Sequence, residues 1–393
     1  MKKIIYISTF LPSKKSNFPS AGSNTTLNNI KNLHENGYKV NFCALVNSKE
    51  YESKEYYKNE CIENLIIFKI PIWKKLINLI WNFKIPILCS VRYDKRIKNF
   101  LKENLQNYAV VIIDFTQNIN YLKDIKGIKK ILIEHDISFQ AFERKMNSEK
   151  NYLKKLFYKF EYKRLKKYEE AMIEKFDLVI VQNRKDYKLV EGKNKNIKIL
   201  KPFFNKFPMI SKNIDKKINI GFFGAMNRSE NEEAVIFFLD KVWRKIQREN
   251  MYFYIIGANP SEKLKRVVNN YSNIILTGFV EKVEEYFSIL DIGIIPLLRG
   301  AGIKIKTVEM LYYEIPVVST EIGVEGILIE NEEDYLLANN DKEFIKGINL
   351  LIENKKLYKE IKNNLKEKKE NLTTGKTISE LLKFWENEHD NTI

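Results

Sequence analysis

Short apolar runs alternate with amphipathic stretches in both halves of the chain. The first run, KKIIYIST (Lys2 to Thr9), is stopped by Pro12 and reads as a buried strand. A polar loop carrying Gly22 follows. Asn24 or Thr25 is placed to cap a helix whose apolar positions Leu27, Ile30 and Leu33 run to Gly37, a natural stop. Tyr38 to Val46 reads as a second strand, so the chain opens with a strand–helix–strand unit of the kind that builds parallel sheets. Further strands are predicted at Leu65–Ile70, Ala109–Phe115, Lys130–Glu134 and Leu178–Gln182, and a long basic amphipathic helix from about Asn151 to Phe176. Around residues 203–216, bracketed by Pro202 and Pro208, the pattern breaks and a fresh series begins. It comprises INIGFFGA, a helix over Glu232–Gln247, MYFYIIGA, Ile274–Thr277, Ile292–Pro296, a helix over about Lys304–Tyr313, and PVVST. From Lys342 onward the chain is helical and charged.

Such alternation predicts an α/β protein of two doubly wound Rossmann-like domains. The boundaries predicted are residues 1–205, completed by a C-terminal helix over 376–393, and residues 206–375. Ligands of open parallel sheets bind beyond the carboxyl ends of the strands, here expected in a central cleft between the domains.

Composition narrows the function. The 393 residues are 44% apolar and 30% charged, which excludes a generally disordered chain. Lys and Arg number 67 against 50 Asp and Glu, a formal charge of +17. The cations are mostly Lys, spread along the chain and interleaved with Glu and Asp, and no nucleic-acid-binding motif accompanies them, so a nucleic-acid partner is not expected. Cys43, Cys61 and Cys89 sit among apolar neighbours without a CxxC pair and are expected to be buried thiols. The opening run is too short for a secretory leader and no run suits a membrane span, so a cytoplasmic location is expected. One segment stands apart: in PIWKKLINLIWNFKIPIL (residues 71–88), Trp73, Leu76, Ile77, Ile80 and Trp81 recur at helical spacing among Lys74, Lys75 and Lys84. Two readings fit it, a basic helix lying in an anionic lipid interface at the inner membrane face, and a core-facing helix with snorkelling lysines.

Several chemistries are absent from the sequence. There is no P-loop, no complete dinucleotide fingerprint, no HExxH and no GxSxG. No DxD occurs, and His34, His135 and His389 are the only histidines, so no metal and no cofactor are expected. What remains is the segment IIPLLRGAGIKIKTVEMLYYEIPVVST, residues 294–320. Gly300, Ala301 and Gly302 form a flexible turn directly before a helix, leaving backbone N–H groups of that turn and Ile303 for an anion. Lys304 and Lys306 put positive charge where the helix dipole disfavours it, which a bound anion would reverse. Glu309 lies on the same helix and can accept hydrogen bonds from vicinal hydroxyls. An anion site beside a diol site describes a nucleotide; a solvated Lys–Glu pair on a surface helix is the plainer alternative.

These residues also carry a resemblance. FFGAMNRSENEEAVIFFLDKVW, YFYIIGANPSEKL, IILTGFVEKVEEYF, DIGIIPLLRGAGIKIKTVEML and IPVVST, spanning roughly residues 218–375, closely resemble the GT-B glycosyltransferases of the large retaining family 4, the glycosyl transferases group 1 type. The N-terminal half resembles the family more loosely, through Ser20–Gly22, NGYKVNF, IEHDISFQAFERK and KKYEEAMIEKFDLVIVQ. The resemblance implies a hexosyltransferase working without a metal. It would take a nucleoside diphosphate sugar on the C-terminal domain and a glycan or lipid-linked acceptor on the N-terminal one, in lipopolysaccharide or capsule synthesis. It implies that Glu309 holds the donor ribose, and it puts Gly22, Gly224, Gly300, Ala301, Gly302, Ile303 and Lys304 around the donor. The family's first glutamate would fall at Ala301 and is absent. The positions of the usual diphosphate-gripping Arg and Lys are Ala225 and Glu230, which makes Lys304 the candidate replacement. Lys306 is expected on another side of the helix. His135 or Asp136 lies near the position of the histidine that approaches the donor sugar. A GT-B nucleotide-sugar epimerase and a nucleic-acid binder are the alternative functions.

Overall fold

A computed structural model describes residues 2–12, 21–52, 57–82, 84–200, 217–300, 302–373 and 377–383. The break at residues 203–216 lies outside them. The chain divides into two compact units, one of residues 1–204 with 375–393 and one of residues 205–374.

The first unit carries seven strands: β1 (Lys3–Ser8), β2 (Lys39–Val46), β3 (Asn64–Lys69), β4 (Val110–Asp114), β5 (Lys129–Glu134), β6 (Leu178–Val181) and β7 (Ile197–Ile199). All pairings are parallel, in the order β3-β2-β1-β4-β5-β6-β7. Parallel strands need crossovers, and the crossovers cover both faces of the sheet. That is why the strands read as continuous apolar runs. Ile5, Ile7, Val111, Ile113, Leu132 and Val179 enter one core, and Ile4, Tyr6, Val110, Ile112, Ile131 and Ile180 the other. Ile378, Leu381 and Leu382 join the second core, with the Ser379 N–H donating to Asn32 Oδ1 at 3.0 Å. The helix after β1 begins at Ala21, ahead of the Asn24 or Thr25 cap expected from sequence, so Gly22 lies in its first turn. There a Cβ would meet the Phe10 ring at 2.8 Å.

The second unit repeats the design with β8 (Ile218–Phe223), β9 (Met251–Ile256), β10 (Ile274–Gly278), β11 (Ile292–Ile295), β12 (Val317–Ser319) and β13 (Leu336–Leu337). They are parallel in the order β10-β9-β8-β11-β12-β13. The helix predicted over Glu232–Gln247 is Ser229–Phe238 followed by a widened turn at Leu239–Trp243. Phe238, Trp243 and Phe253 pack together beneath it, with centroids 4.9 and 5.5 Å from Phe253. In both sheets the strand order reverses direction beside the first strand, at β1/β4 and at β8/β11, the switch points where such sheets bind ligands.

One helix is built inside out. In Ile72–Trp81 the buried residue is Asn78, whose side-chain amide donates to the Tyr93 carbonyl at 2.8 Å. Trp73, Leu76, Ile77, Ile80 and Trp81 all face solvent, Trp81 at 80% exposure. The core-facing reading of this segment is therefore corrected: its apolar stripe turns away from the core. All three cysteines are buried, as expected.

The packing around β8 leaves no room at Gly221, where a Cβ would sit 2.4 Å from Leu290 Cδ1 in the core. Gly221→Ala should destabilise the chain by about 1–3 kcal/mol through overpacking. Urea unfolding would register this as a lower midpoint; an unchanged midpoint would mean Leu290 has space to retreat.

Candidate functional site

The carboxyl end of β8 passes into a turn at Gly224, whose backbone is bonded to the next turn. Gly224 N–H donates to the Ile256 carbonyl at 2.9 Å and Met226 N–H to Ala258 at 2.8 Å. At Gly257 a Cβ would lie 2.0 Å from the Gly224 carbonyl oxygen, so only glycine allows the two turns to meet. A Cβ at Gly224 would lie 2.7 Å from Lys306 Nζ and 2.8 Å from Asn231 Nδ2. The missing side chain is the space these two groups occupy.

Lys306 reaches that space from the first turn of the helix Ile305–Tyr312. Its amine donates to Asn231 Oδ1 at 2.5 Å and sits 4.5 Å from the centroid of the Phe222 ring. Asn231 is itself oriented by its amide donating to the Ala225 carbonyl at 2.8 Å. Lys306 faces another side of the helix from Lys304, as expected, and that side is the one that meets the end of β8, where Ala225 and Glu230 stand. Enclosure of the amine lowers its pKa to about 7, with the positive charges of Arg228 and Lys304 adding to the effect.

Lys304, at the N-cap of the same helix, turns the other way: its amine donates to the Gly302 carbonyl at 2.5 Å and lies 3.8 Å from Glu325. Gly300 and Gly302 both have positive φ, 143° and 70°. Backbone N–H groups of Gly302, Ile303, Ile305 and Lys306 donate to no backbone carbonyl of a described residue outside the helix. Ala301 lies outside the described residues. Arg299, from the same loop, is committed to Glu233 at 2.8 and 2.6 Å. Glu309 follows Lys306 by one turn. Burial first, then the charge of Glu284, push its carboxyl up to about 8, and Lys306 opposes the rise.

The switch point of the first sheet is built around Asp114, fully buried at the end of β4. Its Oδ2 accepts from the hydroxyls of Ser8 and Thr26, each at 2.8 Å, and its Oδ1 lies 2.6 Å from His135 Nε2. A carboxylate only accepts, so Nε2 carries the hydrogen, and Nδ1 receives the Gln182 amide at 2.6 Å. Both ring nitrogens of His135 are thus engaged. Phe115, at φ 71°, stacks flat on the imidazole with centroids 3.8 Å apart, and Phe10 meets Phe115 edge-on at 4.8 Å. Asp136 is only partly buried beside it.

Beneath this loop lies a second carboxylate cluster that sequence reading missed. Thr116 Oγ1 has three oxygen partners: Glu134 at 2.7 Å, Glu169 at 2.8 Å and Ser138 at 2.7 Å. One hydroxyl hydrogen serves one carboxylate, so the other carboxyl must itself carry a proton. Burial raises both acids accordingly, Glu169 to about 8. The Ser138 and Phe139 N–H groups donate to Glu169, which ties the start of the helix Phe139–Ser148 to the helix Tyr152–Ile173.

Comparison with known proteins follows the same geometry. Residues 217–354 match the family Glycosyl transferases group 1. The chain is a glycosyltransferase that carries a group 1 domain in its second unit. A protein of Klebsiella pneumoniae described as an uncharacterized 44.6 kDa protein in the cps region is 25% identical over 365 residues, covering 88% of this chain and 90% of that one. Among solved structures, WaaG, a glycosyltransferase involved in lipopolysaccharide biosynthesis, aligns at TM-score 0.65 and 13% identity over 93% of this chain and 95% of that one. HepE of Anabaena, solved with UDP-glucose, aligns at TM-score 0.65 and 11% identity over 100% of both chains. The fold of the glycosyltransferase is GT-B.

The enclosed amine yields a stability test. A lysine whose folded pKa is below its unfolded value of 10.5 disfavours folding at pH 7, and that cost fades as pH rises from about 7 to 10.5. Lys306→Met should therefore stabilise the unliganded enzyme by about 1–3 kcal/mol at pH 7. The advantage should shrink in urea titrations at pH 9; a constant gap would show that Lys306 is already charged in the empty protein.

Proposed function

We propose that the enzyme transfers a hexose from a nucleoside diphosphate sugar to a glycan or lipid-linked acceptor, with retention of anomeric configuration, in the synthesis of a bacterial surface polysaccharide. The observation that carries this reading is the pairing of Lys306 at Gly224 with Glu309 one helical turn on. The first brings a cation beside the backbone N–H groups at the start of its helix, a setting for a diphosphate, and the second offers a carboxyl to the ribose hydroxyls. Support for the donor class comes from the UDP-glucose held by HepE, and for the setting from the capsule-region relative.

On this reading the diphosphate leaves as charge develops on it, and Lys306 and the loop N–H groups stabilise that charge, with Lys304 holding the loop in shape. The arriving diphosphate raises the Lys306 pKa again, so an amine that is only about half charged at pH 7 in the empty site becomes a full cation when it is needed. No carboxylate nucleophile is assigned. The acceptor is deprotonated in front-face displacement, with the departing phosphate taking the proton. His135, fixed between Asp114 and Gln182 and stacked on Phe115, contributes a rigid polar surface to the first unit's switch point. The reaction needs no metal, and the enzyme works on the cytoplasmic side of the membrane.

Three measurements test this. At about pH 9, where the Glu309 carboxyl is ionised, Glu309→Gln should weaken UDP binding by about 1.5–3 kcal/mol, the worth of a charged hydrogen bond; undiminished affinity would remove Glu309 from the ribose site. UDP titrated calorimetrically at pH 8 in buffers of different ionisation enthalpy should show uptake of close to one proton, absent in Lys306→Met. Turnover should persist in EDTA, and rescue of a chelated enzyme by manganese would contradict the metal-free mechanism.

A further inference from the structure

The helix Tyr152–Ile173 packs beside Phe139–Ser148, with Tyr158 against the Phe142 ring, yet its first buried residue is Glu161. Residues 152–160, roughly 13 Å of helix at 1.5 Å per residue, therefore present their other side to solvent. This stretch should be the most polar on the molecule. Instead Tyr152, Leu153, Leu156, Phe157 and Phe160 are exposed there, Tyr152 at 76% and Phe160 at 57%. The intervening cations are Lys154, Lys155 and Lys159, with Lys150 just ahead, and residues 150–160 contain no Asp or Glu.

The inside-out helix Ile72–Trp81 has the same chemistry, with exposed Trp73 and Trp81 and no acid in residues 71–88. The two are joined. Arg164 donates to the Ile85 carbonyl at 2.5 Å, Glu161 accepts the Ile87 N–H at 3.0 Å, and the Arg164 guanidinium lies 5.0 Å from the centroid of the Phe160 ring. The end of one apolar stripe is thereby tied, through four residues of chain, to the base of the other.

We infer that the exposed start of Tyr152–Ile173 and the helix Ile72–Trp81 form one docking surface for an anionic lipid bilayer. Aromatic and aliphatic side chains enter the interface, and the surrounding lysines meet the headgroups. Helices of this composition bury their apolar face about 5–10 Å into the headgroup boundary. The absence of carboxylates on both stretches selects an anionic surface over a neutral one. The docking stands on these two helices alone. It rests on the proposed function only for its purpose, which is to bring the enzyme to an acceptor whose lipid lies in the same bilayer.

Flotation of the full chain with vesicles tests the inference without any donor or acceptor. The chain should float with phosphatidylethanolamine vesicles containing phosphatidylglycerol and stay below with phosphatidylcholine alone. Leu153→Ser with Phe157→Ser, and separately Trp73→Ser with Trp81→Ser, should each lower partitioning roughly tenfold or more. Replacing Lys150, Lys154, Lys155 and Lys159 by Gln should remove the preference for anionic lipid and its sensitivity to salt. All these side chains are exposed, and a retained UDP-induced thermal shift would confirm that each variant is folded. Failure of UDP to bind any form would count against the proposed function and leave the flotation result standing. The inference is overturned if the wild-type chain ignores anionic vesicles, or if the paired variants float as well as it does. It is equally overturned if light scattering shows a dimer that the Leu153/Phe157 variant splits, because the surface would then be covered by a second copy.

Discussion

What the second sheet presents at its carboxyl edge depends on a lysine amine entering the space that a Cβ would fill at Gly224. Several features converge on that contact. Gly257 lets the neighbouring turn touch the Gly224 carbonyl, Asn231 is aimed by the Ala225 carbonyl, and Phe222 offers its ring to the cation. Enclosure that tight removes water from the amine and lowers its pKa to about 7, so the site holds a cation in reserve. A surface lysine would stay charged and hydrated, and much of its attraction for a diphosphate would be spent on displacing that water. Lys304, bonded to its own loop, fixes the shape of the turn that offers N–H groups.

The first sheet solves a different problem at its own switch point. Asp114 is fully buried and has hydrogen-bond donors from β1, from the Ala21–Glu35 helix and from the loop after β5. Ser8 and Thr26 belong to the connection that leaves β1 and His135 to the one that leaves β5, so a single carboxylate at the end of β4 sets the relative position of two connections. Glu134 and Glu169 do the same one layer deeper, sharing Thr116 and one extra proton. The His135 loop runs between these two carboxylate centres, and its imidazole has both nitrogens engaged, one by Asp114 and the other by the Gln182 amide.

Much of the architecture was legible in the sequence because parallel strands covered on both faces are written as unbroken apolar runs. The strands that escaped notice, β7 and β13, are three and two residues long at sheet edges, where little is buried and no run forms. The helix after β8 was read as continuous because its apolar spacing persists across Leu239–Trp243, and spacing cannot reveal a widened turn. In the candidate site, Glu309 and the glycine loop were visible as a local motif. That the side of Lys306 is the one meeting the end of β8 was not legible, because its partner Asn231 lies 75 residues away. The Glu134–Glu169 pair was invisible for the same reason. Buried acids carry no local signature until the fold brings a shared hydroxyl between them.

The inside-out helix shows where the usual inference from amphipathicity fails. A stripe of Trp, Leu and Ile at helical spacing normally marks the side that faces the core, because burial of apolar surface is what stabilises a helix in water. Here the buried position is Asn78, compensated by hydrogen bonds to the Tyr93 carbonyl and from the Ser90 hydroxyl. The side that burial would favour is left outside. Dissolved in water such a surface invites self-association, and the lysines on and beside both stripes, within a chain of formal charge +17, oppose it by repulsion. The same charges become attractive against an anionic surface. One arrangement therefore keeps the apolar faces apart in solution and makes them adhesive at a membrane, which a core-facing helix with snorkelling lysines could not do.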